Sequence, residues 1–151
     1  MLTLGKGIGG GFPLSAMLTK SEYDLFEPGD QGGTYSGAPL AMAAGIAVLK
    51  ELLKRNLAGN AEQQGNYLIS KLQELSSQYP ISNIRGKGLL LAFDVPEGMA
   101  TELAAACMSH GLLINAPRPS TIRLVPPLIV TKSDIDDMLG ILQHAFSQTS
   151  L

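Results

Sequence analysis

The sequence predicts a mixed α/β protein in which helices alternate with short strands over the second half of the chain. Leucines at helical spacing, such as Leu68, Leu72 and Leu75, predict an amphipathic helix. The apolar run 89–93 has the length of a short strand. The 151 residues are 45% hydrophobic and 16% charged, a balance typical of a globular chain that buries its own core.

The start of the chain predicts two short strands on either side of a glycine run. A strand or loop leads into the glycine-rich residues 5–11, and residues 14–18 predict the second strand. A polar loop with several glycines follows over residues 27–37. This part therefore consists mostly of turns and loops.

A helix is predicted from Pro39 to about Arg55, because proline is favoured in the first turn of a helix. Ile46, Leu49 and Leu53 form one apolar stripe along it. Residues 56–60, which include Gly59, predict a break, and a second helix follows to about Gln78.

The remaining residues predict three strand regions and two helices. The segment 81–95 is strand-rich and is interrupted at residues 85–88, and a helix follows from about Met99 to His110, where Gly111 ends it. Residues 112–114 and 121–125 predict two further strands. The last helix begins near Thr131 or Ser133, either of which can cap it, and its predicted buried face consists of Ile135, Met138, Leu139, Leu142 and Phe146.

Composition excludes several classes of protein. The net charge is −2 and no long basic run occurs, so nothing indicates binding to nucleic acid or to an anionic membrane surface. The most apolar stretch, 40–49, is shorter than the roughly 20 residues that cross a bilayer. No signal-peptide pattern is present, and the single cysteine, Cys107, suits a reducing compartment. We therefore expect a cytoplasmic protein with no membrane partner.

No metal site is predicted. His110 and His144 lie on or at the ends of predicted helices, without a Cys, His or Glu at ligand spacing.

Lys6 is the first candidate catalytic residue, because it lies within the glycine run. Glycine removes side-chain bulk, so a flat ligand could reach the amine. Desolvation in such a pocket would favour the neutral amine, which condenses with a carbonyl group. The alternative is a tight glycine turn that carries a solvated lysine.

Two other glycine motifs suit this run less well. Residues 5–10 formally match the dinucleotide pattern G-x-G-x-x-G, but that pattern needs a helix after it. Pro13 and a predicted strand follow instead, which disfavours a dinucleotide-dependent oxidoreductase. A P-loop requires Ser or Thr directly after the lysine, and Gly7 stands there.

Two further segments contain residues suited to binding anions. Thr34 lies in Gly32-Gly33-Thr34-Tyr35-Ser36-Gly37-Ala38-Pro39, where a hydroxyl and the N–H groups of a glycine-rich loop suit a phosphate. Arg123 lies in Ile122-Arg123-Leu124-Val125-Pro126-Pro127, and its planar guanidinium suits a carboxylate. The alternatives are an ordinary turn threonine and a structural ion pair.

The chain resembles class III pyridoxal-phosphate aminotransferases, because four of its segments match that family in the same order. They are the glycine run with Lys6, the Thr34 segment, Arg85-Gly86-Lys87-Gly88-Leu89 and the Arg123 segment. The resemblance is nearest to the acetylornithine and succinylornithine branch, through Gly29-Asp30-Gln31-Gly32-Gly33-Thr34-Tyr35. Ala38 departs from the family, which has asparagine at this position. We read the Arg85 segment as structural, since its glycines allow a bend into a strand, and we expect Arg85 to form a surface or interdomain salt bridge.

The resemblance implies the C-terminal part of a fold type I pyridoxal-phosphate-dependent transferase. Residues 1–58 would be the tail of the cofactor-binding large domain with a connecting helix, and 59–151 a small C-terminal α/β domain. Lys6 would be the catalytic residue that attaches pyridoxal 5'-phosphate, Thr34 would bind its phosphate across a homodimer interface, and Arg123 would bind a substrate carboxylate.

The implied reaction transfers an amino group from N-acetylornithine, or a related omega-amino donor, to 2-oxoglutarate in arginine metabolism. Ornithine and 4-aminobutyrate aminotransferases remain alternatives. The family's aspartate for the pyridine nitrogen precedes the lysine in a segment that this sequence lacks, so we expect an inactive fragment. A free-standing truncated paralogue that acts as a non-catalytic binding module is a further alternative.

Overall fold

The computed structural model describes residues 1–149. The chain folds into two compact units, one of residues 1–56 and one that begins at Leu57. The predicted domain boundary after residue 58 differs from this division by two residues, and the predicted end at residues 150 and 151 lies outside the described part. No helix among the described residues is long and apolar enough to cross a membrane.

The first unit contains a two-stranded antiparallel ribbon and one long helix. Strand β1 (Leu2–Leu4) pairs with β2 (Ala16–Leu18), and the glycine run between them forms a 3-10 turn at Lys6–Gly9. A second 3-10 turn follows at Ser21–Tyr23, and helix α1 spans Pro39–Lys54. The predicted helix and its proline start are confirmed.

The apolar stripe of α1 is exposed. Ile46, Leu49 and Leu53 are 53%, 44% and 82% exposed, whereas the small residues Ala41 and Gly45 are buried. The helix therefore packs within its unit through small residues and leaves its large apolar side chains accessible.

The second unit is an antiparallel sheet with three helices. Its elements in chain order are α2 (Leu57–Leu75), β3 (Ser82–Lys87), β4 (Leu90–Asp94), α3 (Met99–Ser109), β5 (Asn115–Arg118), β6 (Thr121–Leu124) and α4 (Lys132–Gln148). The strand order is β3-β4-β6-β5, and every neighbouring pair is antiparallel.

The core of this unit contains side chains from all three helices and from the central strands. Phe93 of β4, Ile122 of β6, Leu103 of α3 and Leu142 of α4 are fully buried. Cys107 is also fully buried, and burial raises the pKa of its thiol to about 11. Cys107 therefore acts as apolar filler in this core.

Several sequence predictions were wrong. The predicted interruption at 85–88 is a turn at residues 88 and 89, because residues 85–87 belong to strand β3. The predicted break at 56–60 is confined to Asn56, whose φ is 46°, and Gly59 lies inside helix α2, which ends at Leu75 and not near Gln78. The predicted strand at 112–114 is a loop, and the strand forms at Asn115–Arg118 instead.

The last helix is capped by Thr131. Its side chain accepts a hydrogen bond from the Asp134 N–H, and the Asp134 carboxylate accepts one from the Thr131 N–H at 2.8 Å. This reciprocal pair selects Thr131 over Ser133 as the cap. The predicted buried face is confirmed, with Met138 partly buried.

Candidate functional site

Lys6 has a strained backbone. It is the first residue of the 3-10 turn, and its φ of 54° lies in the left-handed region. That conformation costs a residue with a side chain roughly 1–2 kcal/mol, and such strain persists only where the surrounding structure fixes it. The following residues Gly10 and Gly11 also have positive φ, at 59° and 104°.

The glycine turn is packed against helix α1. A Cβ at Gly10 would lie 3.0 Å from Val48 Cγ2, and a Cβ at Gly45 would lie 2.7 Å from Leu14 Cδ2. By contrast, a Cβ at Gly5 or Gly7 would meet no atom within 4 Å. The turn is thus held on one side and open around the lysine.

The Lys6 side chain is exposed. The predicted desolvation of its amine is therefore not found in this unit. Open space lies beside Gly5 and Gly7, the neighbours of Lys6 in the chain.

Thr34 lies in a tight turn directly before α1. The Ser36 N–H donates to the Gly33 carbonyl at 3.0 Å, the Ala38 N–H donates to the Tyr35 carbonyl at 3.2 Å, and Gly37 has a φ of 70°. Thr34 is exposed, and its hydroxyl makes no hydrogen bond within residues 1–149. The turn leaves this hydroxyl available to a ligand.

Ala38 occupies the N-cap position of α1, where no side chain accepts a hydrogen bond. An asparagine side chain at this position can accept one from the first helical turn and is worth about 1 kcal/mol. We expect Ala38→Asn to slow hydrogen exchange of the first α1 amides about fivefold. Hydrogen-exchange mass spectrometry of peptides from this helix measures the change. Ala38→Gln is the control, and an equal effect from glutamine would contradict the capping explanation.

Arg123 lies on strand β6, opposite Ala92 of β4 and Asn115 of β5. Its neighbours Ile122 and Leu124 are buried while Arg123 is exposed, so its side chain projects from the sheet face opposite theirs. It borders an open cavity of about 260 Å³ with Leu113, Ile114, Asn115 and Val125. No acidic residue within 1–149 forms an ion pair with it, so the alternative of a structural ion pair is not found there.

Arg85 forms a salt bridge, as predicted, and the structure identifies the partner as Asp94. Arg85 Nη2 lies 2.9 Å from Asp94 Oδ1 across the β3–β4 hairpin. Asn83 Nδ2 and Thr121 Oγ1 donate to the same carboxylate at 2.7 and 2.9 Å. The hydrogen bonds from Arg85 and Asn83 are the main causes that lower the pKa of Asp94. This cluster joins three strands and has a structural role.

The Asp94 cluster makes the second unit sensitive to acid. Because the folded-state pKa is lowered, the carboxylate stabilises the fold above the unfolded-state pKa of about 4, and this contribution is lost as pH falls through the folded-state value. We expect the urea midpoint to fall between about pH 6 and about pH 3, and we expect Asp94→Asn to flatten that dependence. Asp137→Asn removes an exposed carboxylate of α4 and should leave the slope unchanged. Equal slopes in the parent and in Asp94→Asn would contradict the argument.

The predicted site residues lie in different units. Lys6 and Thr34 belong to the first unit and make no hydrogen bond with each other among the described residues, whereas Arg123 belongs to the second. Each residue is exposed in its own unit.

Solved structures with this arrangement of elements are aminotransferases. One is an acetylornithine aminotransferase from Elizabethkingia anophelis, with a TM-score of 0.91 and 33% identity over 97% of this chain and 40% of that one. Another is an ornithine delta-aminotransferase from Plasmodium falciparum, with a TM-score of 0.88 and 32% identity over 96% of this chain and 39% of that one. The predicted fold is thereby confirmed.

The chain belongs to the class III aminotransferase family, whose model matches residues 1–146. The acetylornithine aminotransferase of Ralstonia nicotianae is 45% identical over 95% of this chain and 37% of its own length. That of Caldanaerobacter subterraneus is 41% identical over 98% of this chain and 38% of its own. The chain thus spans less than two-fifths of these relatives, all members of a pyridoxal-phosphate-dependent family.

Proposed function

We propose that this chain is the C-terminal part of an aminotransferase that moves an amino group from N-acetylornithine, or a related omega-amino donor, to 2-oxoglutarate. The observation that carries the proposal is the left-handed backbone of Lys6 between glycines that leave open space. Strain of this kind clusters at functional sites. Similarity to acetylornithine aminotransferases supports the choice of donor.

The residues present suit pyridoxal phosphate. An accessible primary amine at Lys6 can bind a carbonyl carbon covalently. The Thr34 hydroxyl, which makes no hydrogen bond among residues 1–149, can donate to a phosphate oxygen. When bound, the cofactor supplies an electron sink for the substrate carbanion.

The chain's own residues would bind and orient the reactants and move one proton. Lys6, once its amine is free, would act as the base and acid that transfers a proton at the reacting carbon. The guanidinium of Arg123, which has no acidic partner among the described residues, would bind a substrate carboxylate with two parallel hydrogen bonds. Thr34 would contribute to the partner subunit's site in a homodimer.

We further propose that the 151 residues alone do not transaminate, because they span only 37% of the length of the Ralstonia relative. The proposed setting is the cytoplasm. The exposed apolar residues of α1, together with Leu25 and Tyr35, which are both 86% exposed, support association with further protein surface.

The test is an absorbance scan of the purified chain with added pyridoxal phosphate. We expect a band near the visible edge from cofactor attached to Lys6, and we expect Lys6→Ala to remove it. Lys20→Ala is the matched control, since Lys20 is another exposed lysine of the first unit, and it should keep the band. Borohydride reduction followed by peptide mapping then locates the modified lysine. An equal band in Lys6→Ala would contradict the role of Lys6, and turnover by the isolated chain would contradict its proposed inactivity.

The donor can be tested in a chimera. The matching segment of the Ralstonia enzyme would be replaced by this chain, and rates with N-acetylornithine, ornithine and 4-aminobutyrate compared. We expect N-acetylornithine to give the highest kcat/KM. A preference for ornithine or 4-aminobutyrate would replace the proposed donor.

A further inference from the structure

Two histidines that are far apart in the sequence meet where helices α3 and α4 end. His110 is the C-cap residue of α3, and His144 lies in the last two turns of α4. Their ring centroids are 4.5 Å apart, with the ring planes at 80°. The two residues are 34 positions apart, so their spacing in the sequence did not indicate this contact.

Gln148 joins the two rings. Its side-chain nitrogen lies 2.9 Å from His144 Nε2, and its side-chain oxygen lies 3.3 Å from His110 Nε2. In this arrangement His110 Nε2–H donates to the amide oxygen, and the amide nitrogen donates to the lone pair of His144 Nε2. The Nε2 atoms of both imidazoles therefore face one amide group.

One of these separations is that of two ligands that share a small metal ion. Two nitrogen or oxygen ligands at about 2.0–2.1 Å from a tetrahedral zinc ion lie roughly 3.3 Å apart. The 3.3 Å between His110 Nε2 and the Gln148 side-chain oxygen equals that spacing. The 2.9 Å contact joins His144 Nε2 to the amide nitrogen, so the ion would replace this hydrogen bond. Imidazole is a preferred ligand of zinc, copper and nickel, and an amide oxygen can complete such a set.

We propose that His110, His144 and Gln148 form a surface site for a divalent transition-metal ion of the zinc type. With the His110 proton moved to Nδ1, the Nε2 atoms of the two histidines would be the principal ligands, the Gln148 oxygen the third, and water would occupy the remaining position. All three residues are exposed, so the ion can enter from solvent without a buried charge. The site is independent of the proposed aminotransferase function.

The site would fasten the end of α3 to the end of α4. A metal ion that binds only the folded chain stabilises it by mass action. Apart from this site of two histidines and one glutamine, no group of three or more His, Cys, Asp or Glu residues within 1–149 could hold a metal ion. With no competing site there, we expect one ion per chain.

The test is calorimetric titration of the untagged full chain with zinc chloride at about pH 7.5, where imidazole is mostly neutral. We expect one ion per chain and a higher melting temperature in zinc. His110→Gln and His144→Gln should each weaken binding about tenfold or more, because a single imidazole then remains. Gln148→Ala should weaken binding by a smaller factor, and Gln73→Ala, an exposed amide on α2, should have no effect.

Ring signals in NMR spectra give a second measurement. Zinc should shift the imidazole signals of both histidines at the same metal concentration. The proposal is overturned if the parent chain binds no zinc, if both histidine variants retain the parent affinity, or if only one ring responds. Because all the substituted residues are exposed, circular dichroism of each variant should match the parent.

Discussion

Gly65→Ala is expected to destabilise the second unit by a net amount of about 2 kcal/mol. Gly65 is buried in helix α2, and a Cβ there would lie 2.1 Å from the carbonyl oxygen and 2.6 Å from the carbonyl carbon of Gly88. Both clashing atoms are backbone, so a change of side-chain rotamer cannot relieve the contact. Overpacking typically lowers the free energy of unfolding by about 1–3 kcal/mol. Because backbone atoms must move here, we expect a cost near the upper end of this range, about 3 kcal/mol. The gain in helix propensity, about 1 kcal/mol, is smaller.

Gly140→Ala is the matched control. Gly140 lies in helix α4, and a Cβ there would meet no atom within 4 Å. The same substitution should therefore stabilise the unit by roughly 0.5–1 kcal/mol. Urea unfolding followed by far-ultraviolet circular dichroism compares the two variants. Similar midpoints for Gly65→Ala and Gly140→Ala would show that the close approach of α2 to the hairpin turn is unimportant.

Phe93→Ala is the second substitution with a large expected effect. Phe93 lies on the central strand β4, is fully buried and is among the largest buried side chains. Its truncation removes apolar contacts and leaves a cavity, which together cost about 3–5 kcal/mol. We expect a large fall in the free energy of unfolding of the second unit, measured by the same urea titration.

Leu90→Ala tests whether burial causes that loss. Leu90 belongs to the same strand but is 59% exposed, and it points away from the core. Its truncation should change stability by less than about 1 kcal/mol. A loss equal to that of Phe93→Ala would mean that strand propensity, and not core packing, dominates at this strand.

Helices with a clear apolar period and a terminal signal could be predicted from the sequence. Pro39 marked the start of α1, and Thr131 was one of two predicted caps of α4. Both signals are local, since they depend on residues within one turn of the helix end.

Predictions failed where distant contacts decide the structure. Gly59 looked like a break, but Leu57 is buried and the helix continues through the glycine, so packing outweighs a cost of about 1 kcal/mol. Residues 112–114 looked like a strand, yet a strand needs a paired neighbour. The pairing with β6 begins at Asn115, opposite Arg123, while the Leu112 N–H bonds back to the Cys107 carbonyl.

The candidate site could be predicted as residue types but not as contacts. Lys6 and Arg123 were chosen because of the sequence around them, and nothing in that sequence indicates the left-handed backbone of the lysine. The partner of Arg85 could not be identified because it depends on the register of the β3–β4 hairpin, which brings Asp94 opposite Ser82. The contact between His110 and His144 could not be predicted either, because it depends on how helices α3 and α4 pack.

The strand order of the second unit also determines the order in which the unit can fold. The outer pairs β3–β4 and β5–β6 join neighbours in the sequence, so each hairpin closes a short loop and can form within microseconds. The central β4–β6 pair must close a loop that contains α3, so it pays a larger entropic cost. We therefore expect pairing of β4 with β6 to be the slow step of folding, so substitutions in these two strands should slow refolding more than substitutions in β3 or β5.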